Sequence, residues 1–177
     1  MNRDQFDHAI RAAAAVVGES EVLVIGSQAV HASIPDSTPD AARRSVEADI
    51  AIRGDVDGTK ADLIDGSIGE ASMFHQTFGF YAQGVTLETA ILPKGWEKRL
   101  VRYETPETNG VVAWCLSLED LFVSKALAGR PKDLELCRSI VQLGVVDTAA
   151  IAQMLSDVKA VDSKKEVARA LLGYSDH

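Results

Sequence analysis

The sequence predicts an α+β chain: a mixed β-sheet with flanking helices over residues 1–116, then an all-helical region over residues 117–177. Three observations carry that expectation. The apolar run 22–25, VLVI, passes directly into Gly26-Ser27 and a short amphipathic stretch, as a buried strand does when it turns straight into a helix. Residues 45–52, SVEADIAI, alternate like a half-buried strand. Beyond residue 116 the punctuation is that of successive helices, with Gly129, Pro131, Gly144 and Asp147 at their ends.

Each element has a local reason. Residues 4–17 read as a helix, because Phe6, Ile10, Ala13, Ala14 and Val17 share a face and Gly18 is a natural stop. Residues 27–33 read as a helix that Ser27 can cap. Residues 35–42, PDSTPDAA, read as a loop with two prolines. Residues 58–70 suit a helix despite three glycines. Residues 72–81 and 85–92 are expected as strands with Gly84 near the turn between them, and 110–116 as another. Ser117 to Asp120 is a capping-box-like start for a helix that ends at Gly129. Pro131 suits the first turn of the next helix, to Leu143 and Gly144. Asp147 caps a third, and SKKEVARALLGY, residues 163–174, is a fourth.

Composition narrows the classes of function. A chain of 177 residues, 46% hydrophobic and 25% charged, is that of an ordinary globule. No apolar run approaches the roughly 20 residues of a membrane span, and the first residues lack the layout of a secretion signal, so a cytoplasmic protein without membrane association is expected. Two distant cysteines, Cys115 and Cys137, read as buried thiols, and four scattered histidines make a thiolate or imidazole zinc site a poor fit. A net charge of -8 argues against a general nucleic-acid binder. The charge is uneven: residues 55–93 hold only Lys60 against six acids, whereas Lys94, Lys98, Arg99 and Arg102 follow closely.

Three stretches carry candidate chemistry. On the strand SVEADIAI, Glu47 and Asp49 share one face about 7 Å apart at the backbone. Such a pair repels itself, and a divalent cation such as Mg2+ cancels the repulsion; a wet polar strand face is the alternative. Gly26-Ser27 at a strand–helix junction can present backbone amides and a hydroxyl to phosphate, or be a tight turn with a serine cap. On a strand 85–92, Glu88 stands among small and apolar residues, an expensive place for a charge without a partner; an edge-strand glutamate in water is the alternative. Lys125 and Asp133 lie eight residues apart across the Gly129-Arg130-Pro131 break, which lets them converge toward the acid pair. A surface lysine and a dipole-complementing aspartate are the plain readings of those two. Arg130 and Lys132 are solvated charges or part of the same face. Trp96, His31 and His75 are expected in packing roles.

In this order the pieces resemble the polymerase-beta type of nucleotidyltransferase and, more narrowly, the AbiEii-class (MenT-like) nucleotidyltransferase toxins. The resemblance spans most of the chain. It rests on Gly26-Ser27, on Arg43 or Arg44 ahead of Glu47-Ala48-Asp49, on ETAILPKGWEKRLV with Trp96 and Arg99, and on LEDLFVSKALAGRPKDLELC with Lys125 and Asp133. It implies Mg2+, one or two ions, held by Glu47, Asp49 and Glu88. It implies an NTP held by Gly26, Ser27, Arg44 and Lys125, and catalysis by Glu47, Asp49, Glu88, Lys125 and Asp133. The implied reaction moves an NMP to a hydroxyl of tRNA or protein, in a toxin restrained by a cognate antitoxin. Two departures stand out: Glu47 replaces the usual aspartate, and the gap from Ser27 to Glu47 is long. They keep open a catalytically weak module that binds a partner protein or nucleotide. A small-molecule, antibiotic-type transferase is the other alternative.

Overall fold

The structure, a computed structural model, describes residues 1–173. Its five strands form one mixed sheet in the order β3-β2-β1-β5-β4. They are β1 (Glu21–Val24), β2 (Glu47–Ala51), β3 (Tyr81–Gly84), β4 (Val101–Tyr103) and β5 (Val112–Cys115). β1 runs antiparallel to β2 and parallel to β5; β2 runs parallel to β3, and β4 antiparallel to β5. Central β1 is apolar because it has a strand on each side and helices over its faces.

The first helix, α1 (Arg3–Val17), begins in a reciprocal capping box between Asn2 and Gln5 and ends at Gly18 in the left-handed conformation. With α4 (Thr59–Ile68) it covers β1–β3, burying Phe6 and Ile10 against Ile50 and Ile64 in one core. Gly84 is where α4 comes closest: a Cβ there would stand 1.9 Å from the Ala61 carbonyl oxygen.

The expected strand 72–81 is a correction. Residues Met73–Phe78 form a helix, α5, whose N-cap Ser72 accepts from the His75 amide and whose stop is left-handed Gly79. Only after it does β3 begin. The expected strand 85–92 is also absent: Leu87–Thr89 make a 3-10 turn, closed by the Thr89 hydroxyl donating to the Thr86 carbonyl at 2.7 Å. Two further elements lie where a loop or nothing was expected, α3 (Asp40–Arg44) and β4. Ser27 opens a 3-10 turn, Ser27–Ala29, that continues as α2 (Val30–Ser33), but it does not cap it: Gly26 holds the N-cap, and the Ser27 hydroxyl accepts from Gln28 at 3.3 Å.

The helical region matches its punctuation. α6 (Leu118–Ala128) is capped by Ser117, α7 (Pro131–Gln142) opens on Pro131, α8 (Thr148–Asp157) is capped by Asp147, and α9 spans Asp162–Leu172. The expected end of this last helix at Tyr174 lies outside the described residues. α6 and α7 serve two cores. Leu121, Leu136 and Ile140 join the sheet core, whereas Phe122, Leu127, Cys137 and Val141 pack with Ile151, Leu155 and Leu171. No helix among the described residues is long and apolar enough to cross a membrane. Cys115 and Cys137 are buried free thiols, and burial pushes the Cys137 thiol up to about 12. His31 is packed against Phe6, with Gln28 and Thr38 as polar partners, and the His75 ring accepts from the Ala71 amide.

In the basic run 94–102 the two arginines are paired with acids, whereas Lys94 and Lys98 are exposed. Arg99 forks onto Asp120 at 2.9 and 2.6 Å, and Arg102 pairs with Glu104. Asp120 is fully buried, so its charge depends on Arg99 and Ser117. Arg99→Ala is therefore expected to cost about 3 kcal/mol by stranding a buried carboxylate, as measured by denaturant unfolding. A cost below about 1 kcal/mol would mean that the pair behaves like an exposed one.

Candidate functional site

The site lies where the polar face of β2 meets α6 and α7. Alternation puts Ala48 and Ile50 into the core and Glu47 and Asp49 on the opposite face. Asp49 lies against Gly26 across the antiparallel β1–β2 pairing: a Cβ on residue 26 would stand 1.9 Å from Asp49 Oδ2. Gly26 has φ of -102°, which any residue can adopt, so the glycine is required by space rather than by conformation.

Lys125 faces this carboxylate from α6. Its Nζ stands 3.7 Å from Asp49 Oδ2 and 3.8 Å from Asp133 Oδ1. Lys125 is only 8% exposed, yet its ammonium makes no hydrogen bond to any described residue. Asp133, 3% exposed, is held by the Arg130 guanidinium at 2.6 and 3.3 Å. Lys132 Nζ lies 3.8 Å from Glu47 Oε2. Burial first, and then the neighbouring Asp49 carboxylate, raise the Glu47 pKa above its ordinary value, against the opposing pull of Lys132 and Lys125. The two acids thus resist being ionised together.

Two hollows open on either side of this group and share Glu47, Asp49, Lys125 and Arg130. The smaller, about 30 Å³, is polar and includes Ser27, Ser45, Lys132 and Asp133. The larger, about 290 Å³, is walled by Ile25, Val85, Ala90, Ile91, Leu127 and Ala128, with Gln83, Thr89, Ser124 and Lys164 as its other polar members.

Of the residues expected at the site, Ser27, Glu47, Asp49, Lys125 and Asp133 line this cleft, and Gly26 borders it. Glu88 and Arg44 do not. Glu88 is exposed on the 3-10 turn, and neither hollow includes it although its neighbours Thr89, Ala90 and Ile91 line the larger one. The strand that was to aim it at the acid pair does not exist. Among the described residues no group of three or more His, Cys, Asp and Glu is arranged to hold a metal ion. Arg44 ends α3, paired with Glu135, and lines a separate hollow of about 350 Å³ with Ser45, Glu47 and Lys132. Sequence reasoning missed Gln83, Ser124 and Lys164. Gln83 stands opposite Asp49 in the β2–β3 register.

A family model described as "Nucleotidyltransferase of unknown function (DUF6036)" matches residues 5–176. Neither a curated protein nor a solved structure matches the chain significantly.

Two outcomes follow from the geometry. Gly26→Ala is expected to destabilise the chain by about 1–3 kcal/mol through overpacking and to displace Asp49; denaturant unfolding measures the first, and an unchanged midpoint would contradict the contact. The raised Glu47 pKa favours the protonated acid in the folded chain. Its contribution is therefore full below the ordinary carboxylate range and lost as pH rises through the raised value. Glu47→Gln should flatten that decline when stability is followed from acid to neutral pH in EDTA.

Proposed function

The chain belongs to the DUF6036 family of nucleotidyltransferases of unknown function, and we propose that it moves a nucleoside monophosphate from an NTP to an acceptor hydroxyl with Mg2+ at the Glu47/Asp49 pair. The observation that carries the reading is Lys125, a nearly buried ammonium whose donors are unengaged at 3.7 and 3.8 Å from two carboxylates. Three donors in that position lack an acceptor that a phosphate oxygen would provide.

The donor set fits one Mg2+. The ion typically takes one or two carboxylates together with substrate phosphates, and the mutual repulsion of Glu47 and Asp49 is the cost that it would relieve. With Glu88 outside the cleft and an amide at Gln83, no set among the described residues supports a second ion. When bound, Mg2+ neutralises charge on the phosphate oxygens during displacement. The remaining work belongs to the chain. Ser27 and its neighbouring amides, in the small polar hollow, donate to the β- and γ-phosphates. Lys125 turns from its two carboxylates to the phosphate oxygens. Asp133, fixed by Arg130, keeps Lys125 in register. The acceptor hydroxyl oxygen then attacks the α-phosphorus, the bond from that phosphorus to the bridging β-phosphate oxygen breaks, pyrophosphate leaves, and the hydroxyl proton passes to solvent.

The resemblance to AbiEii-class toxins extends the proposal to an RNA acceptor, such as tRNA, or a protein hydroxyl, and to restraint by a cognate antitoxin. One observation favours a second reading, a nucleotide-binding module without turnover: Gln83 rather than a carboxylate faces Asp49.

Incubation with each labelled NTP, Mg2+ and total RNA or protein separates the two. Transfer of label supports the enzyme, and binding without transfer supports the module. Asp49→Ala is expected to abolish transfer with the fold intact. Lys125→Ala is expected to raise the NTP requirement roughly tenfold to a hundredfold, the worth of a charged hydrogen bond. Retained transfer in Asp49→Ala would refute the assignment.

A further inference from the structure

The larger hollow contains two polar side chains that nothing in the described chain engages. Ser124 is 6% exposed, yet its hydroxyl makes no hydrogen bond, not even the usual one to a carbonyl one helical turn back. The Gln83 amide also makes none. Both side chains line the cavity. The hydroxyl and the amide face the open hollow, so their hydrogen-bonding capacity is free for a ligand.

Their positions say which part of a ligand they meet. Gln83 faces Asp49 on the neighbouring strand, about 4.8 Å away at the backbone. Ser124 immediately precedes Lys125 on α6. Both therefore flank the phosphate end of the cavity. The rest of the wall is mostly apolar, formed by Ile25, Val85, Ala90, Ile91, Leu127 and Ala128, and it also carries the cations Arg130 and Lys164. The Thr89 hydroxyl, further along, is already bonded to the Thr86 carbonyl. A group next to the phosphates that carries hydroxyls, followed by a flat apolar face, is the sugar and base of a nucleotide.

We infer that Gln83 and Ser124 hold the ribose hydroxyls of the donor nucleotide, selecting ribonucleotides over 2′-deoxyribonucleotides, while the apolar wall accepts the base with little regard to its identity. The inference rests on the NTP reading above. An amide and a hydroxyl each donate and accept, as a ribose diol does, so the pairing leaves no polar group stranded. With a 2′-deoxy sugar one of these hydrogen bonds is lost, and affinity falls by roughly threefold to tenfold.

The test measures Kd for ATP and for 2′-deoxyATP with Mg2+, in the wild-type chain, Gln83→Leu, Ser124→Ala and the double variant. Inorganic tripolyphosphate serves as a probe of the phosphate end. The expected result is a wild-type preference for ATP of roughly threefold to tenfold. Each single variant should shrink that preference and the double variant bring it close to one, with tripolyphosphate binding unchanged. Because the Ser124 hydroxyl has no internal partner, Ser124→Ala should fold as the wild type does, and thermal unfolding checks this. Equal wild-type affinity for the two nucleotides, or a preference that survives in the double variant, overturns the inference and leaves the NTP reading standing. Failure of the wild type to bind either nucleotide overturns both.

Discussion

The Asp49 carboxylate occupies the space that a side chain on residue 26 would fill, and the geometry of the cleft follows from that contact. Because β1 and β2 are antiparallel, the end of β1 crosses beside Asp49, and only a bare Cα lets the acid turn inward beside the Ser27 turn. The same contact brings the carboxylate within 3.7 Å of Lys125 on α6. A residue chosen for its lack of a side chain thus joins the sheet to the helical region at the one point where charge is concentrated.

Around that point the charges are held apart from one another. Arg130 is committed to Asp133, and Lys132 lies only loosely near Glu47. Lys125 stands between two acids without a hydrogen bond to either. Tight pairing would quench the site, whereas complete separation would leave buried charges unsupported. Intermediate distances keep an ammonium available to an incoming anion and a pair of acids available to an incoming cation. Mg2+ and a nucleotide satisfy both demands together, which is why a two-carboxylate set suffices when phosphates supply the other ligands.

Much of this was legible in the sequence, for local reasons. The alternation from Ser45 to Ile52 put Glu47 and Asp49 on one face, and the Gly129-Arg130-Pro131 break brought Lys125 and Asp133 together. Glu88 misled because TLETAIL alternates as a strand does, yet side-chain bonding by Thr89 and the lack of a neighbouring strand leave it as a turn. Gln83 was hidden because it fell in the turn expected between strands 72–81 and 85–92, whereas β3 spans Tyr81–Gly84. Ser72 and Gly79, a serine N-cap and a glycine stop, were the signals that divided a helix from β3. Arg44 precedes Glu47 closely in sequence and lines a hollow with it, but α3 pairs it with Glu135 rather than turning it toward Lys125 and Asp49. The vacancy of hydrogen-bonding partners at Ser124 is a tertiary property that no local pattern encodes.

The central claim is that Asp49 takes a cation together with a nucleotide, and electron paramagnetic resonance of Mn2+, used in place of Mg2+, tests it most directly. The wild-type chain should sequester Mn2+ strongly only when a non-hydrolysable NTP analogue is present, and Asp49→Asn should remove that enhancement without altering the fold. Mn2+ held equally well by the Asp49→Asn chain, or no enhancement by nucleotide in the wild type, would contradict the account.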